Sequence, residues 1–226
     1  PVFSYTEGPG KNSRNNRKGA MKLQAMKYLF VTFLLLSNIM ASKIVSIFGL
    51  LLPAAVIAYP VTFLFTDVVA EVEGKKSARS LVMTGFYLSL VMVALLWAAR
   101  LLPPAPFWTH QEAWDRILGA TPRIVLASML AYVVSQNHDV WAFHWWKEKT
   151  AGRHLWLRNN LSTMVSQLID SALFITVAFW GLYPPAAIGK MVLGQYAVKV
   201  AIALLDTPFC YMLVRFYERD SRNDPQ

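Results

Sequence analysis

The stretch LSTMVSQLIDSALFITVAFWGLY, residues 161–183, decides the fold. It is long enough to cross a bilayer core of about 30 Å as a helix, which takes roughly 20 mainly apolar residues. Asp170 lies near its centre. Because an ionised side chain gains nothing from hydrocarbon, this carboxylate must be paired or must line a polar path through the membrane.

Five further apolar stretches have the same character. With the first one they predict an all-α integral membrane protein, a bundle of six transmembrane helices at residues 28–48, 50–70, 80–101, 123–143, 161–183 and 191–215. The chain is 55% hydrophobic and 15% charged, with a mean hydropathy of +0.37. A soluble domain is closer to about 25% charged, so the composition excludes that class.

Basic residues predict the orientation. Sixteen lie in the N-terminal tail, the loops at 71–79 and 144–160 and the C-terminal tail, whereas four lie on the other side. By the positive-inside rule both termini are cytoplasmic and the number of spans is even. Two three-helix halves in this topology would be inverted relative to each other, as in many transporters.

Three segments are expected along the chain. Residues 1–27 form a disordered basic cytoplasmic tail, in which Met21 is a candidate native start; 28–216 form the transporter domain; and 217–226 form a second cytoplasmic tail. No cleavable signal peptide is recognisable, because the first apolar stretch is too long. Within the domain, Gly49 is expected to turn the chain between the first two spans, Pro53 to open the second, and Pro60 to kink it near its centre.

Two opposite charges fall at the same predicted depth. Asp170 is nine residues into the fifth span and Lys199 nine residues into the sixth, counted from opposite faces, so each lies about 14 Å deep. One interpretation is a structural ion pair, and the other is that one or both contact a substrate. The two overlap, because a pair that a substrate can break is a gate.

The fifth span carries a polar stripe. Asn160, Thr163, Gln167, Asp170 and Ser171 share one helical face. Packing between helices needs only one or two such contacts, each worth about 0.6 kcal/mol. A face that meets water or a ligand explains the stripe better.

Other polar residues in the spans admit two interpretations each. Asp67, Lys43 and Arg123 could serve function, or could be solvated, snorkelling or anchoring at the interface. Glu73 is expected to pair with a basic residue of the adjacent loop, and Asp206, just before Pro208, to bond freed backbone groups. Further polar groups of the first and fourth spans are Asn38, Ser128, Ser135 and Gln136.

The sequence contains no motif of an enzyme active site or of a metal site. The four histidines lack metal-ligand spacing and are interpreted as loop and interface residues, and Cys210 as a small buried apolar residue. No phosphate loop, zinc motif or activated serine appears, so no metal and no cofactor is expected. Most of the basic residues that give the net charge of +9 lie beside the spans, so this charge does not indicate nucleic acid binding.

An ordered set of short motifs runs through residues 28–216. Its members are Asn38, Ala41, Ser42 and Lys43; Tyr59, Pro60, Asp67, Glu71, Gly74, Lys75, Ala78 and Arg79; Arg123, Ala127, Ser128, Ser135, Gln136 and Asp139; and 157–160 with Ser162, Thr163, Gln167, Asp170, Ser171 and Phe179. The set resembles the queuosine precursor transporter family (the VUT family), although the aromatic residue expected at position 72 or 73 is absent.

The resemblance implies import of 7-deazaguanine precursors of queuosine, the 7-cyano and 7-aminomethyl compounds, across a bacterial inner membrane for tRNA modification. The partners are then a nucleobase-like solute and the bilayer, with an oligomer permitted. Asp170 would bind the base edge, assisted by Gln167 and Asn38, with Tyr59 or a nearby phenylalanine stacking on the ring. The remaining expected substrate contacts are Asn160, Thr163, Gln136 and Ser128. The expected gating or coupling residues are Lys43, Asp67, Glu71, Arg79, Arg158, Lys199 and Asp206.

Three alternatives remain open at this level. The chain could transport another small aromatic or vitamin-like solute, or be a membrane subunit that docks onto an energy-coupling module. An intramembrane enzyme is the third. The driving force is equally open between proton coupling through a buried carboxylate and facilitated diffusion with metabolic trapping.

Overall fold

A helical bundle interrupted by one β-hairpin makes up the part of the chain that the computed structural model describes. That part is the backbone of residues 11–149 and 155–202, with the side chains of residues 19–142, 145 and 163–202. The elements in chain order are α1 (Lys11–Met40), β1 (Ile44–Ile47), β2 (Leu50–Pro53), α2 (Tyr59–Glu73), α3 (Lys75–Leu101), α4 (Gln111–Leu118), α5 (Thr121–Lys149), α6 (Leu155–Phe179) and α7 (185–202).

Length and composition identify the membrane-spanning helices. Within the described ranges, Gly19–Met40, Lys75–Leu101 and Gln111–Ala142 are each long and apolar enough to cross a bilayer. Thr163–Phe179 is a shorter apolar helix. The prediction of a mainly helical membrane protein is therefore confirmed, while the count of six spans and the side of the termini stay predictions.

The first two predicted spans are not continuous helices. Residues 28–48 and 50–70 were expected to be helical throughout, but α1 ends at Met40 and α2 begins at Tyr59. Between them β1 and β2 pair antiparallel, with Ile44 opposite Pro53 and Ile47 opposite Leu50. The sequence of β1, Ile-Val-Ser-Ile, is rich in β-branched residues, which suit a strand better than a helix.

Phe48 and Gly49 form the turn of this hairpin. Their φ angles are +51° and +80°, and positive φ at both central residues is typical of a type I′ turn. Gly49 thus turns the chain as predicted, although between strands. Pro53, expected in a helix, ends β2 with extended backbone. Pro60, expected to kink a span at its centre, lies in the first turn of α2, where its missing N–H costs little.

The hairpin packs against α7 through Gly194. A Cβ atom on this glycine would lie 2.8 Å from the backbone oxygen of Leu51 and 3.2 Å from Leu52 Cδ2. Non-helical backbone at membrane depth must satisfy its hydrogen bonds inside the protein. The β1–β2 ladder pairs the facing backbone groups of the two strands, and the bond from Ala54 N to Lys43 O at 2.8 Å closes its base.

Two apolar clusters hold the bundle together. The larger one joins the hairpin base to α5, α6 and α7, and the smaller one joins α1, α2 and α3. The members of the larger cluster are Ala41, Ala55, Ile124, Ala127, Ala131, Phe174, Ile175, Ala178, Phe179, Ile188 and Met191. The members of the smaller cluster are Leu23, Phe30, Leu34, Val69, Ala78 and Leu81.

Helical backbone extends into the segment that was expected to be a disordered tail. α1 begins at Lys11, and Leu23 is buried on the same helix face as Phe30 and Leu34. The spacing of seven and four residues between these three places them on one stripe, which packs on α2 and α3. The division of the chain into tails and a transporter domain stays a prediction.

The loop after α3 also contains a helix. Residues 102–122 fall between two predicted spans, but α4 occupies Gln111–Leu118. Arg100 at the end of α3 donates to Asp115 of α4 at 2.6 Å and holds this short helix in place. Trp108 and Trp114 of this segment are both exposed.

An ion pair joins the middle of α1 to the end of α2. Lys27 Nζ lies 2.7 and 2.6 Å from the two carboxylate oxygens of Glu73, and Ser77 also donates to Glu73. The predicted partners of Glu73 in the adjacent loop are therefore wrong, because α1 places Lys27 closer. Bonds from Lys27 and Ser77 hold the pKa of the Glu73 carboxyl below its usual value.

Exchanging the two charges tests this contact. Lys27→Glu alone should lower the thermal stability in detergent by no more than about 1 kcal/mol, because both side chains are partly exposed, and Glu73→Lys added to it should restore the loss. Since the pKa of Glu73 is lowered on folding, the contribution is present above pH 4.5 and is lost as the pH falls below that value. Melting curves of the single and double variants would contradict the pair if the second change gave no recovery.

Candidate functional site

Asp170 and Lys199 form an ion pair between α6 and α7. Lys199 Nζ donates a hydrogen bond to Asp170 Oδ2. The Lys199 side chain is 9% exposed and the Asp170 side chain is 20% exposed. The structure thus brings together the two charges that helix depth had placed at one level. A charge pair removed from water in this way is stable only while each member keeps its partner.

Hydroxyl groups surround the carboxylate. Ser135 of α5 lies 3.4 Å from Asp170 Oδ1, in position to donate to it. The Tyr59 hydroxyl, at the start of α2, lies within electrostatic range of Asp170 and beside the Ser37 hydroxyl of α1. Helices α1, α2, α5, α6 and α7 therefore all contribute a polar group to one region, which we call the Asp170 cluster: Ser37, Tyr59, Ser135, Asp170 and Lys199.

A small cavity adjoins this cluster. Leu52 and Pro53 of the hairpin form one wall, and Tyr59, Gln195 and Lys199 supply its polar groups. Its volume of about 20 Å³ holds a single water molecule, whereas ligand sites usually occupy about 300 Å³ or more. The cavity is therefore too small in this structure to hold an aromatic solute beside Lys199.

Buried polar atoms without a protein partner lie near this region. They include the Gln195 side-chain oxygen, which belongs to a cavity-lining residue 8% exposed, and the Ser171 hydroxyl next to Asp170; neither finds a partner among the described residues. The Asn38 side-chain oxygen, in a residue that is 2% exposed, likewise finds no partner among the described residues. Leaving such a group unpaired costs about 1–3 kcal/mol, so these atoms are available to a polar ligand.

The predicted substrate contacts separate into three groups. Asp170 and Tyr59 lie in the cluster. Asn38 instead donates to Ser89 of α3 at 3.2 Å, and Gln167 and Ser128 are half-buried. Thr163 and Gln136 are exposed, and the side chain of Asn160 lies outside the described residues. The stripe on α6 accordingly passes from an exposed Thr163 to a buried Ser171.

The predicted gating residues are similarly divided. Lys199 lies in the cluster, whereas Lys43 follows α1 at the hairpin base and is exposed. Asp67, Glu71 and Arg79 are exposed on α2 and α3. The side chain of Arg158, and all of Asp206 and Cys210, lie outside the described residues.

Sequence reasoning missed two members of the region. Gln195 precedes Lys199 by four residues and so shares its helix face, a signal that helix periodicity could have supplied. Ser37 precedes Asn38 directly and was not singled out. His138, interpreted as a loop residue, lies instead within α5 and contacts Ser166 of α6.

Arg123 has a structural role in this conformation. Its guanidinium donates to the carbonyl oxygens of Val177 at 2.6 Å and Trp180 at 2.7 Å. These carbonyls belong to the last turn and end of α6, where backbone acceptors lack helical partners. Arg123 therefore ties the start of α5 to the end of α6.

Comparisons with known proteins show the family to which the chain belongs. Residues 53–213 match the family model described as "Putative vitamin uptake transporter". A Bacillus subtilis (strain 168) protein named "Probable queuosine precursor transporter" is 34% identical over 188 residues, which are 83% of this chain and 82% of that protein. The chain belongs to the queuosine precursor transporter family.

A second member of the queuosine precursor transporter family is more distant. The Escherichia coli (strain K12) protein named "Queuosine precursor transporter" is 26% identical over 177 residues, 75% of each chain. No solved structure matches the chain significantly. Membership makes the chain a membrane transporter and not an enzyme. In the described part of the chain, no group of three His, Cys, Asp or Glu residues could hold a metal ion.

Proposed function

We propose that this chain imports 7-deazaguanine precursors of queuosine, the 7-cyano and 7-aminomethyl compounds, across a bacterial inner membrane, with both termini in the cytoplasm. The names of its relatives support the substrate class, and the distribution of basic residues supports the orientation. The observation that carries the proposal is the Asp170–Lys199 pair beside the cavity at the hairpin.

The pair is complementary to a guanine-like edge. Such an edge presents a carbonyl oxygen next to two N–H donors. A carboxylate accepts the two donors, as acidic side chains do from exposed base donors, and an ammonium donates to the carbonyl. When the base enters, Asp170 and Lys199 each exchange one partner for another, so neither charge is left buried and unpaired.

Neighbouring groups can hold the rest of the ring. The amide of Gln195 has an unpartnered oxygen that can accept an N–H donor. Tyr59 lines the cavity and stacks on Phe63 at a ring-centroid distance of 6.3 Å, which offers an aromatic face to a flat solute. Stacking of a base on such a face contributes about 1–3 kcal/mol.

Uptake by cells that cannot synthesise the precursors and lack a transporter of their own tests the proposal. Expression of this chain should restore queuosine in tRNA at low external 7-cyano-7-deazaguanine. An analogue without the 2-amino group should compete at least about fivefold more weakly, because it leaves a carboxylate oxygen unpaired. Restoration by neither precursor, with a vitamin-like aromatic solute transported instead, would overturn the assignment.

A further inference from the structure

A second polar cluster lies between α5 and α6, outside the proposed substrate site. His138 Nδ1 lies 2.9 Å from Ser166 Oγ, and Ser166 Oγ lies 3.4 Å from Asp139 Oδ1. Ser166 is 4% exposed, while His138 and Asp139 are half-buried. One hydroxyl therefore lies between an imidazole nitrogen and a carboxylate. We call these three residues, His138, Ser166 and Asp139, the His138 relay.

The relay continues the Asp170 cluster by one helical turn. Ser166 precedes Asp170 by four residues on α6, and His138 and Asp139 follow Ser135 by three and four residues on α5. Ser135 itself lies 3.4 Å from Asp170. Two polar rungs thus stand about 6 Å apart along the helices, a separation with room for one bridging water molecule. They descend from the ion pair toward the end where α5 finishes and α6 starts.

The geometry accommodates two protonation states. With a neutral ring, Ser166 donates its proton to His138 Nδ1. With a charged ring, His138 donates from Nδ1 to Ser166 Oγ, and the serine proton turns toward Asp139. The imidazolium is then linked to a carboxylate through one hydroxyl.

The arrangement is not that of a serine hydrolase. In a catalytic triad the carboxylate orients the histidine, and the histidine in turn activates the serine. Here both the ring and the carboxylate face the serine hydroxyl, and no hydrogen bond joins His138 to Asp139 among the described residues. This order suits transfer of a proton along the helices and leaves no activated nucleophile.

We propose that the His138 relay carries the coupling proton, so that each imported solute is accompanied by one proton. A proton from outer-side water binds His138 Nδ1 while the solute occupies the Asp170 cluster, and the Ser166 proton then turns toward Asp139. The proton leaves to inner-side water after the solute has left. Asp170 stays a carboxylate throughout, bonded first to Lys199, then to the solute, and then to Lys199 again. No other bond is made or broken in the cycle. This inference rests on the proposed function, because the solute must be known before its coupling can be measured.

The charged groups around the relay set its response to pH. Asp170 on α6 and Lys199 on α7 lie one turn away and neutralise each other while paired. On α3, Arg79 lies within electrostatic range of Tyr132, further along α5. Of the charged groups that the structure describes nearby, Asp139 alone joins the relay through a hydrogen bond. Its carboxylate is therefore the acceptor toward which the Ser166 proton turns.

Proteoliposomes of the purified full chain separate the two proposals. Counterflow, the exchange of labelled for unlabelled 7-cyano-7-deazaguanine without a gradient, needs solute binding and no net proton movement. An inward-directed pH gradient, with the membrane potential clamped, should then drive accumulation of about tenfold per pH unit at one proton per solute. The pH gradient alone fixes the direction in which the solute accumulates, so the result is the same for either orientation of the protein in the vesicle.

His138→Gln is the decisive variant. Glutamine can still bond Ser166 but cannot carry a proton, so counterflow should stay within about twofold of the parent while gradient-driven accumulation is lost. His110→Gln makes the same substitution at an exposed histidine before α4 and should accumulate solute as the parent does. Full accumulation by His138→Gln, or a parent that exchanges solute but ignores the gradient, would overturn the relay alone.

Asp139→Asn provides a second measurement if His138→Gln fails to fold. The amide keeps an acceptor for Ser166 but no longer stabilises the imidazolium, so the pH profile of accumulation should move toward acid. An unchanged profile would contradict the relay. Absence of counterflow by the parent would instead overturn the proposed solute, and the coupling proposal with it.

Discussion

Asp170→Asn is expected to abolish uptake of the labelled precursor, with a loss of at least about 100-fold. An amide offers one acceptor oxygen where the carboxylate offers two, and it leaves Lys199 buried without its counter-ion. Breaking a buried pair in this way costs about 3–5 kcal/mol, so the variant should also melt earlier in detergent. Uptake should be compared per amount of folded protein in the membrane.

The exchange of both residues separates folding from transport. Asp170→Lys combined with Lys199→Asp re-forms the pair and should recover most of the thermal stability, but it reverses the order of donor and acceptor that the solute meets. Uptake should therefore stay absent. Asp115→Asn, which breaks the more exposed pair with Arg100, is the matched control and should cost at most about 1 kcal/mol with uptake retained. Full transport by the exchanged pair would assign Asp170 and Lys199 to stability alone.

Gly194→Ala is expected to lower both the stability and the uptake rate. The added methyl group would meet the backbone oxygen of Leu51 at 2.8 Å, and backbone in a paired strand cannot move aside as a side chain can. Overpacking of this kind costs about 1–3 kcal/mol, and it displaces the strand that bears Leu52 from the cavity wall. Both the melting temperature and the uptake rate should fall.

Gly189→Ala is the matched control on the same helix. Nothing lies within 4 Å of a Cβ atom at this position, and alanine is favoured over glycine in a helix by up to about 1 kcal/mol. The control should therefore melt at the same temperature or slightly higher, with uptake unchanged. Equal effects of the two substitutions would show that the contact between the hairpin and α7 is unimportant.

The pairing of Asp170 with Lys199 was predictable, because the rise per residue of a helix fixes the depth of each charge. The polar stripe on α6 was predictable for the same reason, but which of its members face the interior was not. That depends on how α5 and α7 pack around α6, which the sequence of α6 alone does not contain. Gln136, one residue after Ser135, is exposed although its neighbour reaches Asp170.

The hairpin could not be predicted from hydropathy. Residues 44–53 are as apolar as the helices on either side, so a scale that measures only composition joins them into two spans. The β-branched residues of β1 and the dipeptide Phe48-Gly49 were the available signals for a strand and a turn. His138, interpreted with the other histidines as a loop or interface residue, contacts α6, and hydropathy does not show which way a polar residue of a span faces.

The Arg123 clamp has a mechanical consequence for the bundle. It fastens α5 to α6 at one end, and the contacts of Ser135 and His138 fasten the same two helices further along. These two helices therefore travel as one rigid body in any opening motion. α7 is held to the bundle by other means, namely Ile188 and Met191 in the larger apolar cluster, the close approach at Gly194 and the Asp170–Lys199 pair.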